Sequence, residues 1–302
     1  MNGGHAFPQG VLRLSYPREI HFGPGTLAAL PEVLPPGPRR ILLATSASAG
    51  RLGLLNRLTK LLVGHDLALV ANLPAEPSTE AAERLVVRGR EHRADTVIAV
   101  GGGSVIDPAK LAAAVIPRAG TAADYFHQRR SLSGRGLFCA ALPTTAGSGA
   151  ELTPNSVLTD PDSGHKRSIR HSALIPEVAL VDPELTLTAP PALTAASGLD
   201  ALTQAIESCT APTANAFTRP LAIAATATIF RHLETACRQG DDLAARTRLA
   251  EGSLLAAMSF AHTGLGAVHG LAHPLGAILH LPHGQVCAVL LPRILEWNAP
   301  CC

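Results

Sequence analysis

The chain has 302 residues, enough for one large domain or two ordinary ones with a buried core. Hydrophobic residues make up 47% and charged residues 16%, which excludes a disordered chain. The 25 basic and 23 acidic side chains are spread along the sequence, with no basic stripe carrying interleaved aromatics, so nucleic acid is not an expected partner.

Residues 1–20 lack a basic start followed by an apolar stretch, so no signal peptide is expected. The longest apolar runs, such as Leu221–Phe230, are too short to span a bilayer, and no membrane role is expected. Six cysteines (Cys139, Cys209, Cys237, Cys287, Cys301, Cys302) show no CxxC or zinc-finger spacing, which fits a reduced, cytoplasmic setting.

In chain order, Arg40–Thr45 reads as a buried strand and Leu52–Leu62 as a helix with leucine at helical spacing. Leu67–Ala71 is a second strand. Ser78–Arg93 is an amphipathic helix capped by Ser78 or Thr79, with Glu80 in its first turn. Asp95–Val100 is the clearest strand and runs into Gly101-Gly102-Gly103-Ser104, then a helix through Lys110 to Val115. This β-α-β-α-β order predicts a Rossmann-like, doubly wound parallel sheet, extended by strands at Leu137–Leu142 and Val178–Asp182. Beyond Asp182 the prolines at 183, 190 and 191 mark a connection. Ala/Leu-rich helices follow at about 191–210, 220–238 and 241–261. The predicted fold is therefore an α/β domain over 1–183 followed by an all-α, helical domain over 184–302.

The turn at 101–104 suits a phosphate. Glycine lets backbone approach an anion, and the helix behind it offers free N–H groups and a positive dipole end. It equally suits a tight strand-to-helix turn with no ligand, and it is neither GxGxxG nor a P-loop. A second loop after a predicted strand, Pro143-Thr144-Thr145-Ala146-Gly147-Ser148-Gly149-Ala150-Glu151, offers hydroxyls to a pyrophosphate, a ribose or an amide. Asn155 and Lys166 follow in a hairpin-like stretch broken at 160–164. Lys166 reads either as a partner for phosphate or as a solvated turn lysine.

Asp200 and Gln204 lie four apart in a helical pattern, as do His269 and His273, and His283 follows in Leu281-Pro282-His283-Gly284. Imidazole suits Fe, Zn, Ni or Cu, and a carboxylate adds charge and hardness. Helix-packing histidines and a capping aspartate are the competing reading.

Five segments together resemble the iron-containing, group III alcohol dehydrogenase family: His21–Gly25, GGGSVIDPAK at 101–110, PTTAGSGAELT at 143–153, Gly198–Thr203, and GLGAVHGLAHPLGAILHLPHG at 264–284. The resemblance implies a dehydroquinate synthase-like architecture with metal and substrate between two domains. It also implies oxidation of alcohols or reduction of aldehydes and ketones with NAD or NADP, and assembly into a homo-oligomer. Carried onto this chain, Gly102, Gly103 and Ser104 hold the pyrophosphate. Thr144, Thr145, Ser148, Asn155, Lys166 and Leu193 line the cofactor. Asp200, Gln204, His269 and His283 hold the metal, with Fe²⁺ ahead of Zn²⁺, and His273 stands near the reacting carbon.

Three departures qualify the resemblance. Gln204 stands where the family usually has histidine, which predicts weaker or altered metal binding. Ser46 stands where the family has a ribose-binding aspartate, which makes NADP acceptable, and Glu76-Pro77-Ser78 replaces the family Asn-Pro-Thr. Family members commonly extend beyond the segment matching Val289–Pro292. A truncated or frameshifted product, or a short form stabilised by a partner, is therefore expected, with apolar faces near Leu254 and Leu271 bared. A non-catalytic dinucleotide-binding protein and a dehydroquinate synthase-like lyase are the other readings open at this point.

Overall fold

The structure, a computed structural model, describes residues 12–51, 53–279 and 281–301. In chain order the first half runs β1 (Glu19–Phe22), α1 (Leu30–Val33), β2 (Arg40–Ser46), α2 (Ala47–Arg51), α3 (Leu54–Leu61), β3 (Asp66–Leu73), α4 (Thr79–Glu91) and β4 (Thr96–Gly101). Then come α5 (Gly103–Val115), α6 (Ala122–Phe126), β5 (Phe138–Pro143), β6 (Asn155–Thr159), β7 (Lys166–Arg170) and β8 (Val178–Val181). Five helices complete the chain: α7 (Pro191–Thr210), α8 (Thr218–Arg238), α9 (Leu243–Thr263), α10 (Ala267–Leu279) and α11 (His283–Asn298).

Six strands form one sheet in the order β1-β8-β5-β4-β2-β3, and every pairing is parallel. Every residue of β4 is buried, because a parallel sheet covered by helices on both faces needs apolar side chains on both. The two-residue alternation is visible in the core. Leu42, Ala44, Val97 and Ala99 face α4 and α5 on one side, while Ile41, Leu43, Ile98 and Val100 face α1 and α3 on the other. The chain passes from β2 outward to β3, then returns to place β4 on the other side of β2. The crevice of this doubly wound sheet therefore opens between the C-terminal ends of β2 and β4, where such sheets take their ligands.

Local signals account for several boundaries. The Ser78 hydroxyl accepts from the Ala81 N–H at 3.0 Å and caps α4. Asp242 caps α9 through the Ala245 N–H at 3.0 Å. The helix expected over 52–62 is α3, and a short helix that was not expected, α2, precedes it; Gly53 adopts φ +71°, a left-handed turn between the two. The stretch with Asn155 and Lys166 is an antiparallel hairpin of β6 and β7.

The sheet's last strand ends at Val181 and α7 begins at Pro191, on either side of residue 183. The two halves are stitched by more than this connection. The Ser15 N–H donates to His262 Nε2 at 2.8 Å, the Tyr16 hydroxyl donates to the Met258 carbonyl at 2.9 Å, and Arg170 Nη2 donates to the Ala261 carbonyl at 2.8 Å. Leu254, expected to be bared, is buried, because α9 packs between α7 and α8 and its side chain joins Leu249, Ala257 and Phe260 in their core. Leu271 is exposed, as expected. Among the described residues no single helix is long and apolar enough to cross a membrane.

Candidate active site

Gly102 caps α5 in an extended conformation without a side-chain hydrogen bond. Its carbonyl accepts from the Val105 and Ile106 N–H groups, both at 3.0 Å, which leaves the Gly103 and Ser104 N–H groups aimed beyond the helix end. The second loop lies directly against this turn. The Thr144 N–H donates to the Gly101 carbonyl at 3.0 Å. A Cβ on Gly102 would stand 3.2 Å from Thr145 Oγ1, and one on Gly103 would stand 2.9 Å from Ser148 Oγ. The hydroxyls of Thr145 and Ser148 are thus brought to the glycine cradle, and glycine is what permits the approach.

A buried polar clamp fixes the pair of loops. Lys110, 1% exposed, donates to the Ala150 carbonyl at 2.7 Å and to the Thr153 carbonyl at 3.2 Å, and it pairs with Asp107 Oδ1 at 3.0 Å. Asp107 Oδ2 in turn accepts from the Val157 N–H at 3.1 Å. Helix α5 therefore holds, through two side chains one turn apart, both the second loop and the start of the hairpin. Glu151 is buried beside this clamp, and burial lifts its carboxyl to about 7.

Across α7 lies a cluster of charged side chains. His269 donates Nε2–H to Asp200 Oδ1 at 3.2 Å and Nδ1–H to Glu207 Oε2 at 2.6 Å. His283 Nε2 lies 3.7 Å from Asp200 Oδ1, and Cys287 Sγ lies 3.6 Å from His283 Nε2. One donor atom from each of Asp200, His269, His283 and Cys287 falls within 4.8 Å of all the others. Burial works against a charged His269, yet its hydrogen bonds to Asp200 and Glu207 outweigh that cost and raise it to about 9. Burial likewise opposes ionisation of Asp200, but the hydrogen bond from His269 and the nearby imidazoles hold it below the usual carboxylate range.

Residues 17–183 match the family described as iron-containing alcohol dehydrogenase, and residues 194–302 match the C-terminal part of the Fe-containing alcohol dehydrogenase family. This chain belongs to the iron-containing alcohol dehydrogenases. The long-chain-alcohol dehydrogenase 1 of Geobacillus thermodenitrificans is 39% identical over 297 residues, which cover 97% of this chain and 75% of that protein. The NADPH-dependent butanol dehydrogenase of Clostridium saccharobutylicum is 33% identical, covering 96% of this chain and 74% of that one. The crystal structure of sulfoacetaldehyde reductase from Bifidobacterium kashiwanohense in complex with NAD+ superimposes with a TM-score of 0.89 at 29% identity, covering 96% of this chain and 77% of that one.

For an iron-containing alcohol dehydrogenase, the donor set fits a divalent cation: a buried carboxylate and two imidazoles converge, and two further buried polar atoms, Gln204 Oε1 and His283 Nδ1, have no hydrogen-bond partner. Gln204 lies one turn along α7 from Asp200 and supports that carboxylate. The His273 ring stands edge-on to His283 with centroids 5.1 Å apart. Burial pushes it down to about 4, so it is neutral near neutral pH. Lys166 adds its positive charge to both imidazoles and is itself held by Glu76 Oε2 at 3.1 Å. The carboxylate that replaces the family asparagine thus restrains the lysine expected to line the cofactor.

Three expected cofactor residues stand apart from these contacts. The Ser46 hydroxyl, at the end of β2, meets the Ser48 hydroxyl at 2.8 Å. Leu193 sits in the first turn of α7 and is exposed. Asn155 Oδ1 is buried at the start of β6 without a partner. Sequence reasoning missed Glu207 and Cys287. Glu207 lies seven residues after Asp200 and three after Gln204 on α7, and Cys287 lies four after His283 on α11. The helical spacing that linked the other residues was available for both. It also missed the Asp107–Lys110 clamp, whose residues stood inside a quoted motif and were given no role.

Proposed function

We infer that this chain catalyses hydride transfer between NAD(P) and a small alcohol, with the aldehyde or ketone as its partner in the reverse direction. The observation that carries this reading is the adjacency of two half-sites. A glycine cradle lies at the crevice of a doubly wound sheet, and a buried Asp200/His269/His283 cluster lies on the other side of α7. The second loop packs Gly147 on Ser197 of α7, while α11 packs Gly284 on Ala196, the preceding residue. The ends of both half-sites therefore meet on one turn of one helix.

In this reading the Gly103 and Ser104 N–H groups bind the pyrophosphate, with the Thr144, Thr145 and Ser148 hydroxyls beside it. Asn155, Lys166 and Leu193 line the rest of the cofactor channel. Asp200, His269 and His283 hold a divalent cation, with Gln204 in reach, and Glu207 fixes the orientation of His269 through its Nδ1–H. A cation held there, Fe²⁺ first and Zn²⁺ second, would supply Lewis acidity toward an alcohol or carbonyl oxygen, and a nicotinamide bound at the cradle would supply the hydride acceptor or donor. His273, a neutral imidazole at working pH, accepts the alcohol proton at a ring nitrogen and passes it to solvent.

Ser46 removes the carboxylate that would repel a 2′-phosphate, so NADP(H) is used at least as well as NAD(H). Two copies or more assemble, as the resemblance implies, in a cytoplasmic setting. The test is reduced-nicotinamide absorbance with metal-loaded protein and a panel of small alcohols and aldehydes, run with both cofactors. Turnover with either supports the reading. Cofactor binding without turnover on any member of the panel, with the cation bound, defeats it. A strong preference for NAD(H) in kcat/KM overturns the cofactor assignment alone.

A further inference from the structure

Cys287 is fully buried on α11 and at first sight belongs to a small apolar cluster with Val268, Val286 and Leu291. Its sulfur also lies 3.6 Å from His283 Nε2 and within 4.8 Å of donor atoms of Asp200 and His269. His283 and Cys287 are one turn apart on α11, so both side chains leave the same helix face toward Asp200.

Three of the six separations come close to those of a coordination shell. A tetrahedral ion with metal–ligand bonds of about 2.0 to 2.3 Å spaces its donors roughly 3.3 to 3.8 Å apart. The measured edges are 3.2 Å for Asp200–His269, 3.7 Å for Asp200–His283 and 3.6 Å for His283–Cys287. All four donors fit within 4.8 Å of one another. Gln204 shares the neighbourhood, but a neutral amide is a weak donor beside a thiolate.

We propose that Cys287 is the fourth protein ligand of the cation, binding as a thiolate alongside Asp200, His269 and His283, and that it raises the site's zinc affinity relative to its iron affinity. The proposal rests on the reading of those three residues as metal ligands. On binding, the S–H bond breaks, a metal–sulfur bond forms and the proton leaves to solvent. The thiolate thereby makes good the strong donor that a histidine would supply at position 204. It also brings the softer chemistry that zinc accepts more readily than an iron held by oxygen and nitrogen.

The test loads Co²⁺ into apo-protein carrying Cys301→Ser and Cys302→Ser, which removes the adjacent thiols as rival ligands, and records the absorption spectrum. The expected result is visible d–d bands together with a near-ultraviolet sulfur-to-cobalt charge-transfer band. Adding Cys287→Ser should remove the charge-transfer band and keep the d–d bands. Cobalt bound with d–d bands that vanish in His269→Ala, but with no sulfur band, overturns the cysteine proposal and leaves the three-residue site standing. Cobalt that fails to bind, or binds equally in His269→Ala, overturns both. The spectrum of the Cys301→Ser, Cys302→Ser protein overturns the proposal if it lacks the sulfur band, even where the Cys287 variant folds poorly. Competition between one equivalent each of Fe²⁺ and Zn²⁺, read by elemental analysis, gives a second measure. Cys287→Ser should lower the bound zinc-to-iron ratio about tenfold or more, as losing one direct ligand implies. An unchanged ratio refutes the selectivity.

Discussion

Replacing Gly103 with alanine separates the binding role of the cradle from its role in folding. A methyl at that position would stand 2.9 Å from Ser148 Oγ and 3.1 Å from Ser148 Cβ. The hydroxyl can rotate away, but the Cβ is fixed to its backbone. That backbone is pinned next door, where Gly149 adopts φ +62° and lies close enough to Ala257 and Phe260 that a Cβ there would collide with both. The second loop must therefore back away by a few tenths of an ångström. Two effects on stability oppose each other. Alanine in a first helical turn gains about 0.5 to 1 kcal/mol over glycine, whereas overpacking costs about 1 to 3 kcal/mol. The net is a modest loss that leaves the protein folded.

The effect on ligand is larger and one-sided. The methyl grows on the residue whose N–H is proposed to meet the pyrophosphate, and it moves Ser148 as well. Losing one charge-assisted hydrogen bond costs about 1.5 to 3 kcal/mol, a factor of roughly 10 to 150 in affinity. Titrating Gly103→Ala with NADH and NADPH by protein fluorescence or calorimetry measures this, with urea unfolding on the same sample as the folding control. A folded variant that binds both nucleotides within about twofold of the parent would show that this turn is only a tight connection.

Further outcomes follow from the clamp and the charged cluster. Burial raises Glu151 in the folded state to about 7 from 4.5, so its neutral form stabilises the fold fully below about pH 4.5, and that contribution is lost as pH rises through 7. Glu151→Gln should therefore gain stability relative to the parent on going from about pH 5 to about pH 8, by at most about 3 kcal/mol in urea unfolding, and parallel curves for the two proteins would contradict it. Glu207→Gln leaves His269 with a neutral acceptor and should lower cation affinity about 10- to 100-fold, read by chelator competition. Equal affinity would mean that Glu207 only packs. Gly284→Ala drives a methyl into the Ala196 carbonyl, whose carbon lies 2.7 Å away, with no flexible side chain to yield. It should draw His283 off Asp200 and abolish stoichiometric metal content, whereas Gly270→Ala, with nothing within 4 Å of its Cβ, should retain it.

The sequence made the sheet legible because parallel strands buried on both faces appear as short, nearly unbroken apolar runs, as at Thr96–Gly101. The glycines and the Asp200, His269 and His283 constellation were legible because helical spacing and a strand-to-helix turn are local patterns. What stayed hidden depended on long-range contact. Glu207 and His269 are 62 residues apart in sequence, and Lys110 reaches the Ala150 carbonyl 40 residues on. Spacing within one helix cannot reveal a partner on another. Cys287 was hidden for a different reason. Its spacing from His283 put both on one helix face, but as one of six cysteines without CxxC or zinc-finger spacing it drew no role, and only the fold brings its sulfur to 3.6 Å from His283 Nε2 beside Asp200 and His269. Leu254 failed in the opposite direction, because an apolar helix face in sequence does not say which neighbouring helix covers it.

The meeting of the two half-sites depends on residues that carry no chemistry. Gly147 and Gly284 both lie on the second turn of α7, against Ser197 and Ala196, and each is close enough that a Cβ would collide with backbone. Gly198, next in line, accepts the Leu233 side chain from α8. Three consecutive small residues on α7 thus receive the second loop, α11 and α8 at one place. Asp200 follows two residues later, on the same rigid element. Its distance from the cradle is therefore fixed by helix geometry rather than by a mobile connection. A bulkier residue at any of the three would separate binding of the dinucleotide from binding of the cation without touching a ligand to either. The chemistry is specified by the polar residues, but the distance between the two bound groups is specified by the small ones.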